Sequence, residues 1–288
     1  MDDPLRMQPL IVNAALTGMV PAKADTPHVP VTAEEIVADA IACAERGASI
    51  VHVHARDGDG RPTHRAEAYA PIVEGIRAAV PDLIVCVSCS GREVTDVEAR
   101  AEVLALEGAA KPDMASLTLG SLNFARQAST NSPGTIRALA GRMRERGIAP
   151  EVEVFEPGML AFAGRLRQEG LLGERGYVNV LLGNLGTAPP TAAMLSAFVS
   201  AMPPGWTWAL AGIGRHQLDA TLLAVALAGG VRTGIEDNLW FDRERTELAT
   251  NGRLVQRVAD LAALAGRKTA TPAEARELIG LPRPAGAT

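Results

Sequence analysis

Short apolar runs recur along the chain, and each is followed by a segment whose apolar residues fall three and four positions apart. The runs are LIVNAAL (10–16), ASIVHVHA (48–55), LIVCVSC (83–89) and DMASLTL (113–119), then PEVEVF (150–155), YVNVLLG (177–183), TWALAGI (207–213) and VRTGIE (231–236). Runs of this length, rich in β-branched residues, predict buried strands, and the segments between them predict amphipathic helices. The clearest helix opens at Thr32, whose hydroxyl can cap it while Glu35 closes a capping box. It runs through EEIVADAIACAERG to a terminating Gly47. AEAYAPIVEGIRAA, SPGTIRALAGRMRERG, TAAMLSAFVSAM and HQLDATLLAVALAGG supply further helices.

Eight such alternations, with no break rich in Pro or Ser, predict one α/β domain, a (β/α)8 TIM barrel spanning residues 1–288. Its strands lie at about 10–236, and two additional helices at about 251–280 pack outside the barrel or against a neighbouring subunit. A doubly wound sheet would require a Gly-x-Gly-x-x-Gly loop after the first strand, and NAALTGMVPAKADTP does not supply one.

Composition narrows the chemistry. A 47% hydrophobic chain with only 3% aromatics has a core of Ala, Val, Leu and Ile, suited to parallel strands under helices. A net charge of −5, mixed along the chain, argues against nucleic acid or an anionic membrane as partner. Three cysteines, Cys43, Cys86 and Cys89, do not form a disulfide framework. Cys86 and Cys89 have Cys-x-x-Cys spacing but sit in a strand, whereas a redox pair needs its first Cys at a helix start. No charged leader precedes a long apolar stretch, so a soluble, cytoplasmic protein is expected.

A barrel turns position into meaning, because polar residues at the C-terminal ends of its strands converge on one mouth. The tips carry Asn13, Thr17 and Gly18, then His52, His54 and Arg56, then Ser88, Ser116 and Thr118. Glu153, Glu156, Asn184, Arg215, Arg232, Glu236 and Asp237 follow. His52 and His54 share one face of their strand, since side chains alternate across it. They are either separately bonded core histidines or half of a chelate. Zinc at catalytic sites commonly takes three protein ligands, and Glu236 is the best third. Its structural alternative is an ion pair with Arg232. His28, His64 and His216 are expected in loops or at helix starts.

HVHARDGDGRPTHR, PEVEVFEPGM, WALAGIGRHQ and VRTGIEDN, in that order, resemble the β-keto acid cleavage enzymes over about residues 10–280. The resemblance implies a zinc-bearing (β/α)8 barrel, usually tetrameric, that converts a β-keto acid and acetyl-CoA into acetoacetate and a new acyl-CoA. Carried over by motif, it implies His52, His54 and Glu236 as zinc ligands and an Arg232–Asp237 dyad for base catalysis. It matches Ser88 to the catalytic serine, Glu153 to the strand 5 carboxylate, and Ser116 to a threonine that binds substrate. In members cleaving an aminohexanoate, a glutamate follows Thr-Gly-x and meets the substrate's ammonium. Here Thr17-Gly18-Met19-Val20 puts Val20 in that place, so Thr17, Met19 and Val20 are expected to face an uncharged substrate end. A metal-dependent aldolase or acyl-CoA lyase, also working through an enolate, is the alternative. An amidohydrolase would need further histidines where this chain has Glu153 and Asn179, and a metal-binding scaffold would have no use for the Arg232–Asp237 pair.

Overall fold

The computed structural model describes residues 8–282. Eight parallel strands close into a barrel: β1 (Ile11–Ala15), β2 (Ile50–Val53), β3 (Ile84–Val87), β4 (Met114–Thr118), β5 (Ala149–Val154), β6 (Gly176–Leu182), β7 (Trp206–Gly212) and β8 (Gly230–Thr233). Each strand pairs with its sequence neighbours and β8 returns to β1, with Asn13 opposite Arg232. The strands read as nearly continuous apolar runs because outward residues meet helices and inward residues meet each other.

The ring of helices comprises α1 (Ala33–Ala44), α2 (Ala66–Ala79), α3 (Val97–Ala101), α4 (Pro133–Arg146), α5 (Pro157–Gln168), α6 (Ala192–Ala201), α7 (Gln217–Leu227) and α8 (Asn251–Leu264). The capping box at the start of α1 forms as predicted, with Thr32 Oγ1 accepting from the Glu35 N–H and Glu35 reaching back to the Thr32 N–H. Here the structure refines the expectation for the C-terminal helices. α8 is not an addition: it packs beside α1 and α7 as the eighth helix of the ring. A long excursion after β8 separates the two, so the strand-to-helix alternation was hidden. Among the described residues α9 (Pro272–Ile279) is the extra α-helix, and its residues pack with the base of the barrel.

Interior side chains are layered. At the base, Ile11, Ile50, Ile84, Met114 and Tyr177 pack with Ala270, Ala275 and Ile279 from the α9 segment in one apolar cluster. One step up β1, β2, β5, β6 and β8 the interior turns polar, with Asn13, His52, Glu151, Asn179 and Arg232 all at 2% exposure or less. His54, Ser88, Thr118 and Glu153 come next, at the open C-terminal end. Among the described residues an apolar floor closes the base, and the polar layers open at the mouth.

Candidate active site

The two imidazoles of β2 meet as their alternation requires: His52 Nε2 and His54 Nε2 are 3.2 Å apart. Glu236, just past β8, brings its Oε1 to 3.4 Å from His54 Nε2 and its Oε2 to 3.8 Å from His52 Nε2. Ligands about 2.0–2.1 Å from a tetrahedral zinc ion stand roughly 3.3 Å from one another, so this spacing fits that ion. Glu236 Oε2 and His54 Nδ1 are buried without hydrogen-bond partners, which leaves the carboxylate free to ligate. His52, His54 and Glu236 therefore pass as a metal-holding set on geometry as well as donor type. Gly18, at φ 69°, makes room for the third member: a Cβ there would lie 2.7 Å from Glu236 Cγ.

Beneath this set lies a residue the sequence reading did not single out. Glu151, fully buried on β5, accepts from Asn13 Nδ2 at 2.5 Å and pairs with His52 Nδ1 at 2.6 Å. A carboxylate on Nδ1 keeps a proton on that nitrogen, so Nε2 is the ring nitrogen turned to the metal position. The fingerprint was legible as two glutamates at alternate positions, Glu151 and Glu153, in an otherwise apolar strand. Burial opposes any charge on His52, yet the carboxylates of Glu151 and Glu236 outweigh it and raise its pKa to about 9. Burial dominates at His54 and lowers it to about 4. Glu151, also against burial, is drawn down to about 2 by His52 and Arg232.

Arg232 is the hub on the other side. Its Nε donates to Asp237 Oδ2 at 3.0 Å, Nη1 to Glu153 Oε1 at 3.2 Å, and Nη2 to Glu236 Oε1 at 2.7 Å. The ion pair between Arg232 and Glu236 and the approach of Glu236 to the histidines thus coexist through its two oxygens. Burial, with the neighbouring Glu236, raises the Asp237 pKa despite its arginine, and burial raises Glu153 likewise.

These groups open into a cavity of about 670 Å³. Met19, Val20, Ser88, Ser116, Glu153 and Asp237 line it together with the histidines, Arg232 and Glu236. Ser116 Oγ accepts from the Cys89 N–H at 3.0 Å and Ser88 Oγ from the Ser90 N–H at 3.2 Å, so each hydroxyl hydrogen stays available to donate. Thr118 donates to Glu153 Oε2 at 2.7 Å, and Asn184 lines the wall while holding the Asn123 carbonyl. Other mouth expectations fall elsewhere. Asn13 sits one layer down with Glu151, and Thr17 is wholly buried off the cavity wall. Arg56 ties down the β1 loop through the carbonyls of Gly18 and Pro21, Glu156 sits at the N-cap of α5, and Arg215 lies in the turn before α7. Cys43, Cys86 and Cys89 are buried free thiols.

A closed barrel with imidazoles, carboxylates and a buried guanidinium converging at its C-terminal mouth defines a barrel enzyme with a built metal-type site. A family model described as beta-keto acid cleavage enzyme matches residues 9–281, and the chain belongs to that family. It is 38% identical to a 3-keto-5-aminohexanoate cleavage enzyme of Fusobacterium nucleatum, over 96% of this chain and 99% of that one. It is also 38% identical to a 3-oxoadipate:acetyl-CoA acetyltransferase of Cupriavidus necator, over 96% of each. The solved complex of ObcA with oxaloacetate shares the fold at TM-score 0.75 and 21% identity, covering 90% of this chain and 68% of that one. Among the described residues no helix is long and apolar enough to cross a membrane.

Proposed function

We propose that this chain is a zinc-dependent acyltransferase that converts a β-keto acid and acetyl-CoA into acetoacetate and a new acyl-CoA. The observation that carries the reading is the His52–His54–Glu236 set lying in one cavity with the Arg232–Asp237 pair. Named relatives support the co-substrate, since one is an acetyl-CoA acetyltransferase. The cavity supports it too, because pockets of about 300–1,000 Å³ suit ligands of drug size, leaving room beside a small keto acid for a thioester arm.

Zinc held by His52, His54 and Glu236 would act as a Lewis acid toward the oxygens of the β-keto acid. Asp237 takes a proton from C2 of the substrate, a task suited to a carboxylate whose pKa burial has raised. Arg232 fixes that carboxylate through Nε and Nη2 and keeps it aimed into the cavity. Ser88 and Ser116 donate to substrate oxygens. The C2 carbanion attacks the acetyl thioester and CoA leaves as thiolate. The thiolate attacks the former C3 carbonyl, the C2–C3 bond breaks, and Asp237 returns its proton to C2 of the departing acetoacetate. Met19 and Val20 offer no counter-charge to an ammonium at the β1 tip, which supports a substrate whose end there carries no positive charge. The same reading takes the working form to be a cytoplasmic homotetramer, which size-exclusion chromatography with light scattering tests.

The reaction is tested by incubating zinc-loaded protein with acetyl-CoA and a panel containing 3-oxohexanoate, 3-oxoadipate and 3-keto-5-aminohexanoate, with mass detection of acetoacetate. Acetoacetate formed only in the presence of acetyl-CoA is expected. Cleavage independent of acetyl-CoA would overturn the transferase reading in favour of a lyase.

A further inference from the structure

One cation at the mouth has no counterpart in the scheme above. Arg92 lines the same cavity, on the loop after β3, with its guanidinium carbon 3.5 Å above the centre of the Phe124 ring. Stacking covers one face of the guanidinium and leaves its N–H edge free to donate. No side-chain hydrogen bond or ion pair to it forms among the described residues, and its Nε is buried without a partner. The carboxylates around it are engaged elsewhere: Arg232 holds Glu153, Glu236 and Asp237, while the adjacent Glu93 accepts from Gln127 Nε2 at 2.7 Å. Arg126 and Arg245 also reach the cavity but are exposed and solvated, so Arg92 is the half-buried cation with unmet hydrogen-bonding capacity.

Its position is built. Ser88 Oγ accepts from the Ser90 N–H and Ser90 Oγ from the Arg92 N–H, a staircase from the end of β3. Buried Arg100 grips the Cys89 carbonyl through Nε and Nη2, and the Gly91 carbonyl accepts from the Thr130 N–H at 3.1 Å. Phe124 is fixed in turn by edge-on packing against Phe155, with ring centres 6.0 Å apart. A stacked, preoriented guanidinium with free edges suits a planar carboxylate, which can accept two parallel N–H bonds.

We propose that Arg92 is a specificity residue that receives a second, distal carboxylate of the substrate, so that the β-keto acid used by this chain is a diacid. This rests on the acyl-transfer reading for the reaction, though not for the binding. It also replaces the uncharged end expected from Val20 with an anionic one: Val20 supplies no partner for a cation, whereas Arg92 supplies the partner of an anion.

The test titrates zinc-loaded protein calorimetrically with 3-oxoadipate and with 3-oxohexanoate, which differ by a terminal carboxylate against a methyl group, and measures kcat/KM for each with acetyl-CoA. The diacid is expected to bind about tenfold or more tightly than the monoacid. Arg92→Gln should weaken the diacid alone by about 10- to 100-fold, the range for a lost hydrogen bond to a charged group. The monoacid, and KM for acetyl-CoA, should stay unchanged, and Arg92→Lys should restore part of the diacid affinity. Arg92 makes no hydrogen bond through its side chain and loses only its stacking on Phe124, so the glutamine variant should melt within a few degrees of the parent. Equal binding of the two acids by the parent protein would overturn the proposal. So would a loss in Arg92→Gln shared equally by both acids, or one confined to acetyl-CoA. A diacid preference that depends on Arg92 with no turnover of either acid would uphold the binding role and reject the acyl-transfer reading.

Discussion

Removing the charge of Glu151 should weaken metal binding without touching a ligand. Its Oε2 lies 2.6 Å from His52 Nδ1, and its Oε1 accepts from Asn13 Nδ2 at 2.5 Å, all at 0–1% exposure. In Glu151→Gln the amide oxygen can still accept from His52, and Asn13, whose Oδ1 has no partner, can turn its amide to accept from the new NH2. What is lost is the charge, about 1–1.5 kcal/mol at the His52 bond, since charge-assisted hydrogen bonds contribute roughly 1.5–3 against 0.5–1.5 for neutral ones. Zinc affinity should therefore fall about tenfold. Glu151→Ala also frees the tautomer, so the proton can move to the ligating Nε2, and the loss should reach the upper end of the roughly 10- to 100-fold range for such supports. Competition with a zinc-chelating dye, starting from metal-free protein, measures both. If Glu151→Ala bound zinc as tightly as the parent, the carboxylate would not orient His52 and this reasoning would be wrong.

Further outcomes follow from the same geometry. His52→Ala or Glu236→Ala should abolish stoichiometric zinc, read by elemental analysis, together with turnover; full metal content in either would remove that residue from the ligand set. Asp237→Asn keeps the shape and removes the base, so zinc should remain while kcat drops about a hundredfold or more; near-parental turnover would move the base to Glu153. Val20→Glu should improve kcat/KM for 3-keto-5-aminohexanoate by supplying a counter-charge, and no gain would place the distal end of the substrate elsewhere. Burial raises Asp39 on α1 to about 6, against a partly compensating bond from Asn251. Its folded pKa exceeds the unfolded one, so the contribution of Asp39 to stability should be most favourable below about pH 4 and decline as pH rises through 6. Asp39→Asn keeps an acceptor for Asn251 and should gain about 1–2 kcal/mol in denaturant unfolding at pH 8 but nothing at pH 4; equal effects at both values would contradict the assignment.

The strands were legible because each is a short apolar run with a polar residue near its end, a local signal that needs no partner. The pairing of His52 with His54 was legible for the same reason, being fixed by alternation within one strand. The alternation of Glu151 with Glu153 was legible too, but the role of Glu151 was not, because it depends on the depth at which β5 sits relative to β2. That depth comes from the stagger of the closed sheet, with His52 opposite Cys86 and Ser116 opposite Glu151, which no single segment encodes. Arg92 was missed for a different reason. An arginine in a polar loop has a default reading as solvated, and only the fold brings Phe124 beneath it. The Val20 reading concerned the tip of β1 alone, and sequence could not reveal that Arg92 lines the same cavity from the loop after β3. Glu156 and Arg215 lie near strand ends, but their chain segments turn into helix starts before their side chains can reach the cavity.

The floor formed by α9 also dictates an order of assembly. Leu10 forms backbone hydrogen bonds to Lys268 and Ala270, and β1 pairs along its length with β8, so the first strand is completed only by the last segments of the chain. Until then Glu151 and Glu153 stand inside an open sheet without Arg232, two carboxylates with no guanidinium between them. A partial barrel is thus not a smaller stable domain but a structure with exposed strand edges and unbalanced interior charge, prone to misassociation. Closure of the ring and neutralisation of its centre are one event, which makes this a chain that should fold late, through many distant contacts, and all at once.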